Sequence, residues 1–262
     1  MLRGMYSAAS GMDVQQVRIE TLTNNLANAT TPGYKKDVVQ VQSFPELLLI
    51  QQGGPPRRNV PPAAAREIGF MPSGASVERV FTEYTGSGGV KETRNPTDMM
   101  LHGAGFFAVN VPTREEPGRV CYTRNGTFKV DPEGYLVAFG SFHVLGEAGP
   151  VRVGDADFKV NQDGTVVSGG LTRGKLSLVE FDDPGVLEKE TDSIFVDTAG
   201  GAGRPAEATT VRQGFLEVAN VNAVEEITAL MELMRVYETS QRLIIQQDQL
   251  LGKAVNQVGS LR

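Results

Sequence analysis

The chain has 262 residues, enough for one sizeable core or two smaller ones, and 25 Lys plus Arg against 31 Asp plus Glu leave a net charge of −6. With that acidic balance, no basic stripe, no Trp and few aromatics, the sequence offers neither an electrostatic footprint for nucleic acid nor a stacking platform for bases or sugars. A single cysteine, Cys121, cannot close an internal disulfide, and no run approaches the ~18–20 apolar residues of a membrane-spanning helix.

At the N-terminus Met5, Met12, Ile19 and Leu26 recur every seven residues, and Ala8 and Leu22 follow Met5 and Ile19 by three. That is the a/d-like seam of an amphipathic helix, interrupted by Gln15 and Gln16. Ser7, Ser10 and Asp13 break any continuous apolar stretch after Met1-Leu2-Arg3, so the segment is no cleaved secretory signal. Thr30-Thr31-Pro32-Gly33 ends the helix, because Pro32 restricts Thr31 and Gly33 permits a turn. About 25 helical residues span roughly 38 Å.

Residues 36–70 read as extended or irregular, with Phe44-Pro45, Gly53-Gly54-Pro55-Pro56 and Pro61-Pro62 as breakers. Glu46-Leu47-Leu48-Leu49-Ile50 is the one apolar run there, a short helix or a docking strand. From about Ser76 to Thr210 the texture becomes short β-type runs broken by turns. Phe106-Phe107-Ala108-Val109 and Leu176-Ser177-Leu178-Val179-Glu180-Phe181 are such runs; Thr127-Phe128-Lys129-Val130 precedes Asp131-Pro132-Glu133-Gly134, and Phe158-Lys159-Val160 precedes Asn161-Gln162-Asp163-Gly164. This spacing predicts an antiparallel β domain.

In the final segment Leu230, Tyr237, Ile244, Leu251 and Val258 repeat every seven, flanked by Ile227, Met234 and Val255 and weakened by Gln241 and Asp248. Asn222 followed by Glu225 reads as a capping box that starts the helix near Ala223; from there to Val258 is roughly 54 Å. The fold class is therefore α+β, with long N- and C-terminal helices forming a coiled-coil-like layer and a central antiparallel β-rich domain. Residues 1–33 with 212–262 form a discontinuous helical domain, 34–75 an extended connector and 76–211 a β-rich outer domain. Met5, Met12, Ile19, Leu22 and Leu26, with Ile227, Leu230, Met234, Tyr237, Ile244, Leu251 and Val255, are the candidate interface. Such seams fit packing within one chain and packing between chains equally well.

Catalytic chemistry finds little purchase. His102 and His143 lie in different predicted strands and make no metal-ligand spacing with Cys121, which sits in a strand-like run as a small buried side chain. Asp182-Asp183 precedes Pro184-Gly185 and reads as a turn; Glu225-Glu226 occupies the first turn of a helix, where acids favour its dipole. Gly103-Ala104-Gly105 lacks the Lys-Ser/Thr of a phosphate loop, and no Gly-x-Ser-x-Gly elbow occurs. No enzyme, cofactor or metal site is expected, and without a secretory signal the residues alone read as cytoplasmic.

Ser7-Ala8-Ala9-Ser10-Gly11-Met12, Gln16, and Asn24-Asn25-Leu26-Ala27-Asn28-Ala29-Thr30-Thr31-Pro32-Gly33-Tyr34-Lys35 together resemble the N-terminal signature of bacterial flagellar axial proteins, the rod, hook and hook-associated subunits. Gln213-Gly214-Phe215-Leu216-Glu217, Asn220-Val221-Asn222, Glu225-Glu226 and Arg235-Val236-Tyr237-Glu238 resemble the matching C-terminal signature. Asn95-Pro96-Thr97-Asp98, Gly105-Phe106-Phe107-Ala108-Val109 and Tyr122-Thr123-Arg124-Asn125-Gly126-Thr127-Phe128 resemble the family's first β domain. The motif residues are thus Asn24, Asn25, Leu26, Asn28, Pro32, Gly33 and Tyr34 at one end and Asn220, Asn222, Glu225, Tyr237 and Glu238 at the other.

With a single β domain the chain is most similar to the rod group, of the F and G types. The resemblance implies a structural subunit that leaves through the flagellar type III export apparatus without a cleaved signal. It implies polymerisation with copies of itself and with other rod and hook subunits into a torque-transmitting shaft around the export channel. That places the protein in the basal body, outside the cytoplasmic membrane, and replaces the cytoplasmic reading. A short hook-like or hook-associated subunit is the alternative, with a secreted binding or wall-remodelling module behind it.

Overall fold

In the computed structural model α1 spans Leu2–Ala27 and α2 spans Ala223–Gly259. The structure describes residues 2–44, 47–51, 66–71, 74–84, 86, 88–112, 118–154, 157–198, 200–201, 203–206 and 208–259. α2 begins where its capping box predicts. The Asn222 side-chain oxygen accepts the Val224 N–H at 3.1 Å, capping one free amide of the first turn, and the Asn222 side-chain amide donates to Glu225 Oε1 at 2.9 Å, which holds the cap in place. Asn222→Ala is expected to cost about 1 kcal/mol, read as a lowered midpoint in urea with an unchanged slope.

The chain divides into two compact units, one of residues 1–23, 38–81 and 227–262, the other of 24–37 and 82–226. In the first, beside the bulk of both helices, strand Asp37–Ser43 pairs with Ala75–Thr82, and Leu47–Gln51 pairs antiparallel with Arg66–Met71. The apolar run after Phe44 is thus a strand. Pro45, Glu46, Gly53-Gly54-Pro55-Pro56 and Pro61-Pro62 lie outside the described residues. Ser10 on α1 accepts the Ala75 N–H at 3.4 Å.

The second unit holds the β body. Its largest sheet runs Leu187–Thr191, Ile194–Asp197, Val120–Thr123, Phe106–Asn110, Phe142–Gly146, Leu136–Ala138 and Phe128–Val130, all antiparallel neighbours. Leu178–Phe181 joins it by pairing with both Phe106–Asn110 and Gly203–Pro205. A three-stranded sheet of Phe158–Val160, Thr165–Ser168 and Leu171–Lys175 lies in the same unit. The predicted turns form, held by side chains: Asp131 Oδ1 accepts the Tyr135 N–H at 2.7 Å and Asp163 Oδ1 the Thr165 N–H at 3.1 Å. Gly134 and Gly164 take φ of +86° and +84°, the left-handed region that favours glycine.

Apolar side chains from alternate strand positions fill one main core, with Met99, Phe107, Val109, Cys121, Leu136, Val144 and Val166 fully enclosed. Burial pushes the Cys121 thiol above its ordinary pKa, so it is packing rather than nucleophile. A second cluster joins Phe106, Phe181, Leu187 and Phe195 with Tyr84 and Tyr122 against it, the rings meeting edge to face at 4.9–6.0 Å, the geometry favoured by the aromatic quadrupole. Strand structure also exceeds the predicted β region at both limits, beginning at Asp37 and ending at Glu217.

Candidate functional site

Within the β-bearing unit, the end of α1 and the approach to α2 meet on the β body. Below α1, Asn28 donates to the Asn24 carbonyl at 3.2 Å and to Asn24 Oδ1 at 3.1 Å, while Thr31 Oγ1 donates to Asn28 Oδ1 at 3.1 Å. The Tyr34 hydroxyl lies 3.0 Å from the side-chain oxygens of both Asn24 and Asn25. Asn25, 1% exposed, exchanges two bonds of 2.9 Å with the Asp37 backbone. The asparagines of the N-terminal motif therefore terminate a helix and fix the next strand, which short amide side chains do well because they compete for backbone groups. Burial, then the Asp37 charge, pushes the Tyr34 phenol well above its usual pKa, keeping it a neutral donor.

Gly33 sits at φ +69°, and its N–H donates to the Glu217 carbonyl at 2.9 Å. A Cβ there would overlap the Arg124 carbonyl and the Asn125 amide nitrogen. Next to it lies a buried ion cluster. Lys35 Nζ donates to Glu217 Oε1 at 2.8 Å and to the Gly86 carbonyl at 2.7 Å. Arg124 reaches Glu217 Oε2 at 3.3 Å and the Gly103 carbonyl at 2.7 Å. All three side chains are at most 7% exposed. Burial lowers the Lys35 pKa, opposed by Glu217 and reinforced by the Arg124 charge.

Lys189 completes the site from another strand, donating to Asp37 Oδ2 at 2.9 Å and to the Lys35 carbonyl at 3.0 Å. Its ammonium stands 3.9 Å from the centre of the Tyr34 ring, a cation–π contact. Asn220 bridges the two ends of the chain: it accepts the Lys36 N–H at 2.7 Å and donates to the Glu83 carbonyl at 3.0 Å. In α2, Glu226 is lifted above the usual carboxylate range by burial, against Lys36 and a hydrogen bond from Asn25 that lower it.

The helical candidates fall into two groups. Met5, Met12, Ile19, Leu22 and Leu26 are half-buried, as are Leu230, Tyr237, Ile244 and Leu251. Ile227, Met234 and Val255 are exposed, together with Val224, Met231, Val236, Leu243, Ile245 and Leu250. Val14, the apolar side chain of α1 that is buried among the described residues, lies off the predicted seam. A Cβ on Gly4 would come within 2.9 Å of Gln247 Nε2, while Asn25 bonds Glu226.

Of the motif residues, Asn25, Gly33, Tyr34 and Asn220 are brought together at the junction, with Asn24, Asn28 and Pro32 beside them. Asn222 and Glu225 form the cap. Glu238 faces solvent with Arg242 3.7 Å away, an exposed pair of small worth. Lys35, Arg124 and Glu217 lie within the same sequence motifs, and sequence reasoning missed them: the signal was a charged residue inside each motif. Among the described residues no group of three or more His, Cys, Asp or Glu is placed to hold a metal, and no helix is long and apolar enough to cross a membrane.

Long helices at both ends of a β-rich chain give an α+β architecture. Residues 5–35 match the model of the flagella basal body rod protein, 100–168 that of the flagellar hook protein FlgE/F/G D1 domain, and 212–258 that of the flagellar basal body rod FlgEFG protein C-terminal region. The flagellar basal-body rod protein FlgG of Agrobacterium fabrum is 30% identical over 95% of this chain and 97% of its own length. FlgF of Caulobacter vibrioides and the flagellar hook-basal body complex protein FlhO of Bacillus subtilis are each 29% identical over the full length of both chains. The chain belongs to the flagellar basal-body rod protein family, structural subunits of the rod. Lys35 and Glu217 lie in the two terminal matches and Arg124 in the central one, so the ion cluster unites all three.

Proposed function

We propose that this subunit polymerises through α1 and α2 into the axial drive shaft, the helices forming a coiled-coil-like layer around the export channel and the β body lying outside it. On this reading residues 1–33 and 212–262 are the assembly domain, 34–75 a connector and 76–211 the outer domain. The protein reaches its place beyond the cytoplasmic membrane through the type III export apparatus and packs there against copies of itself and other rod and hook subunits.

The observation that carries this reading is the exposure of α2. Its half-buried face, Leu230, Leu233, Tyr237, Ser240, Ile244, Gln247 and Leu251, is flanked on both sides by open apolar side chains. Met234 at 50% and Val255 at 69% lie on one flank, Leu243 at 41% and Leu250 at 57% on the other. A helix serving only an intramolecular core keeps one apolar stripe, so two further flanks fit neighbours on either side. Burying each such side chain contributes ~1.5–3 kcal/mol, against an ordering entropy on the order of 1–2 kcal/mol per residue. Helices so exposed gain full order when several neighbours contribute.

Met234→Glu and Leu250→Glu test this directly. Both side chains are exposed in the free subunit, so each variant is expected to melt within about 2 °C of the parent. In a strain carrying either variant, electron microscopy is expected to show truncated rods without hooks, and swimming is lost. Intact basal bodies would remove the flanks from the assembly interface.

A further inference from the structure

Residues 209–222 do more than complete the ion cluster. Strand Met99–His102 finds its ladder partner in Thr210–Gln213, and Val90–Glu92 finds its partner in Phe215–Glu217; neither pair belongs to the large sheet. Val211, 1% exposed, is part of the main core, and its N–H donates to the Gln162 carbonyl at 2.9 Å. The Gln213 side chain donates to the carbonyls of Pro96 at 2.6 Å and Phe158 at 2.9 Å and accepts the Val160 N–H at 3.0 Å. One short segment therefore ties the end of α1, the strand at Met99, and the three-stranded sheet.

Without that segment the large sheet keeps its ladders, while Met99–His102 and Val90–Glu92 lose their only strand partners among the described residues. Met99 and Leu101, core residues, lie in a strand with no ladder. Lys35 and Arg124 lose the carboxylate they share, and a buried cation without its counter-charge is strongly disfavoured. Buried backbone groups that lose their partners carry a similar penalty. These losses fall on the centre of the unit rather than on its rim.

We propose that residues 209–222 are a closing strap, and that the unit of residues 24–37 and 82–226 reaches its folded state only when the strap is available. In a chain delivered N-terminus first, this unit completes its fold only once residue 222 has emerged. The device rests on the connectivity of the β body and is independent of the assembly reading.

Synthesis of the full chain on the ribosome, with an arrest peptide and linkers of graded length behind it, tests the proposal. The pulling force is expected to stay low when residue 206 has cleared the tunnel and to rise when residue 222 clears it. An equal force at the shorter length, or no rise at the longer one, would overturn the strap. In the completed protein, Val211→Ala is expected to speed amide exchange of residues 99–109, 158–168 and 210–217 by one common factor, ten-fold or more. Acceleration confined to 210–217 would show a locally fraying strand and overturn it as well.

Discussion

Glu217→Gln is expected to lower the melting temperature by roughly 10 °C, because it leaves Lys35 and Arg124 facing a neutral amide inside the fold. Removing one partner of a buried ion pair costs about 3–5 kcal/mol, and in a chain of this size each kcal/mol moves the midpoint by about 2–4 °C. The magnitude follows from burial: Lys35 and Glu217 are 3% and 4% exposed, so water does not replace the lost charge. The same change at the exposed Glu92–Arg94 pair, where the arginine is 85% exposed, is expected to cost under about 1 kcal/mol. Lys35→Met added to Glu217→Gln removes one of the two stranded cations and is expected to recover part of the loss. Calorimetry of the four proteins in that cycle gives the coupling directly; a fall of under 3 °C for Glu217→Gln would mean that the cluster is hydrated.

Gly33→Ala is the second large effect. Two penalties combine there: the left-handed backbone, which costs a residue with a Cβ roughly 1–2 kcal/mol, and the overlap of that Cβ with backbone at Arg124 and Asn125. Gly140 separates them, since its φ of +86° is also left-handed while a Cβ there meets nothing within 4 Å. Gly140→Ala is expected to cost about 1 kcal/mol and Gly33→Ala at least about 3 kcal/mol. Equal losses in chemical denaturation would show that the close approach at Gly33 relaxes freely. Because the Gly33 N–H also bonds the Glu217 carbonyl, the displacement reaches the ion cluster.

The helices were legible because their signals are local. Asn222 and Glu225 announce the start of α2 three residues apart, and Pro32-Gly33 announces the end of α1. Turn residues likewise marked the hairpins at Asp131 and Asp163, where side chain and backbone partner are neighbours. The junction was not legible, because its bonds join residues far apart: 182 positions separate Lys35 from Glu217 and 93 separate Arg124 from it. Charged residues in strand-like runs also read as solvent-facing, and burial is what reverses that. The strand at Leu47 was ambiguous for a related reason, since its partner at Arg66–Met71 lies across a stretch of breakers.

The heptad reading of α2 placed the half-buried row on Leu230, Tyr237, Ile244 and Leu251. It set Ile227, Met234 and Val255 beside that row, and all three are exposed in the structure. Leu233, Ser240 and Gln247 are half-buried where Met234 and Val255 are exposed. Periodicity finds the axis of an apolar face; only contacts fix its width.

The open flanks of α2 also set the colloidal behaviour of the free molecule. With Ile227, Met231, Met234, Ile245 and Leu250 all exposed along a single helix, a subunit in dilute solution is an amphiphile, and its net charge of −6 is what opposes indiscriminate clumping. Salt weakens that repulsion over a Debye length of about 8 Å at physiological strength while leaving the apolar attraction in place. The solubility of the free subunit is therefore bounded by ionic strength.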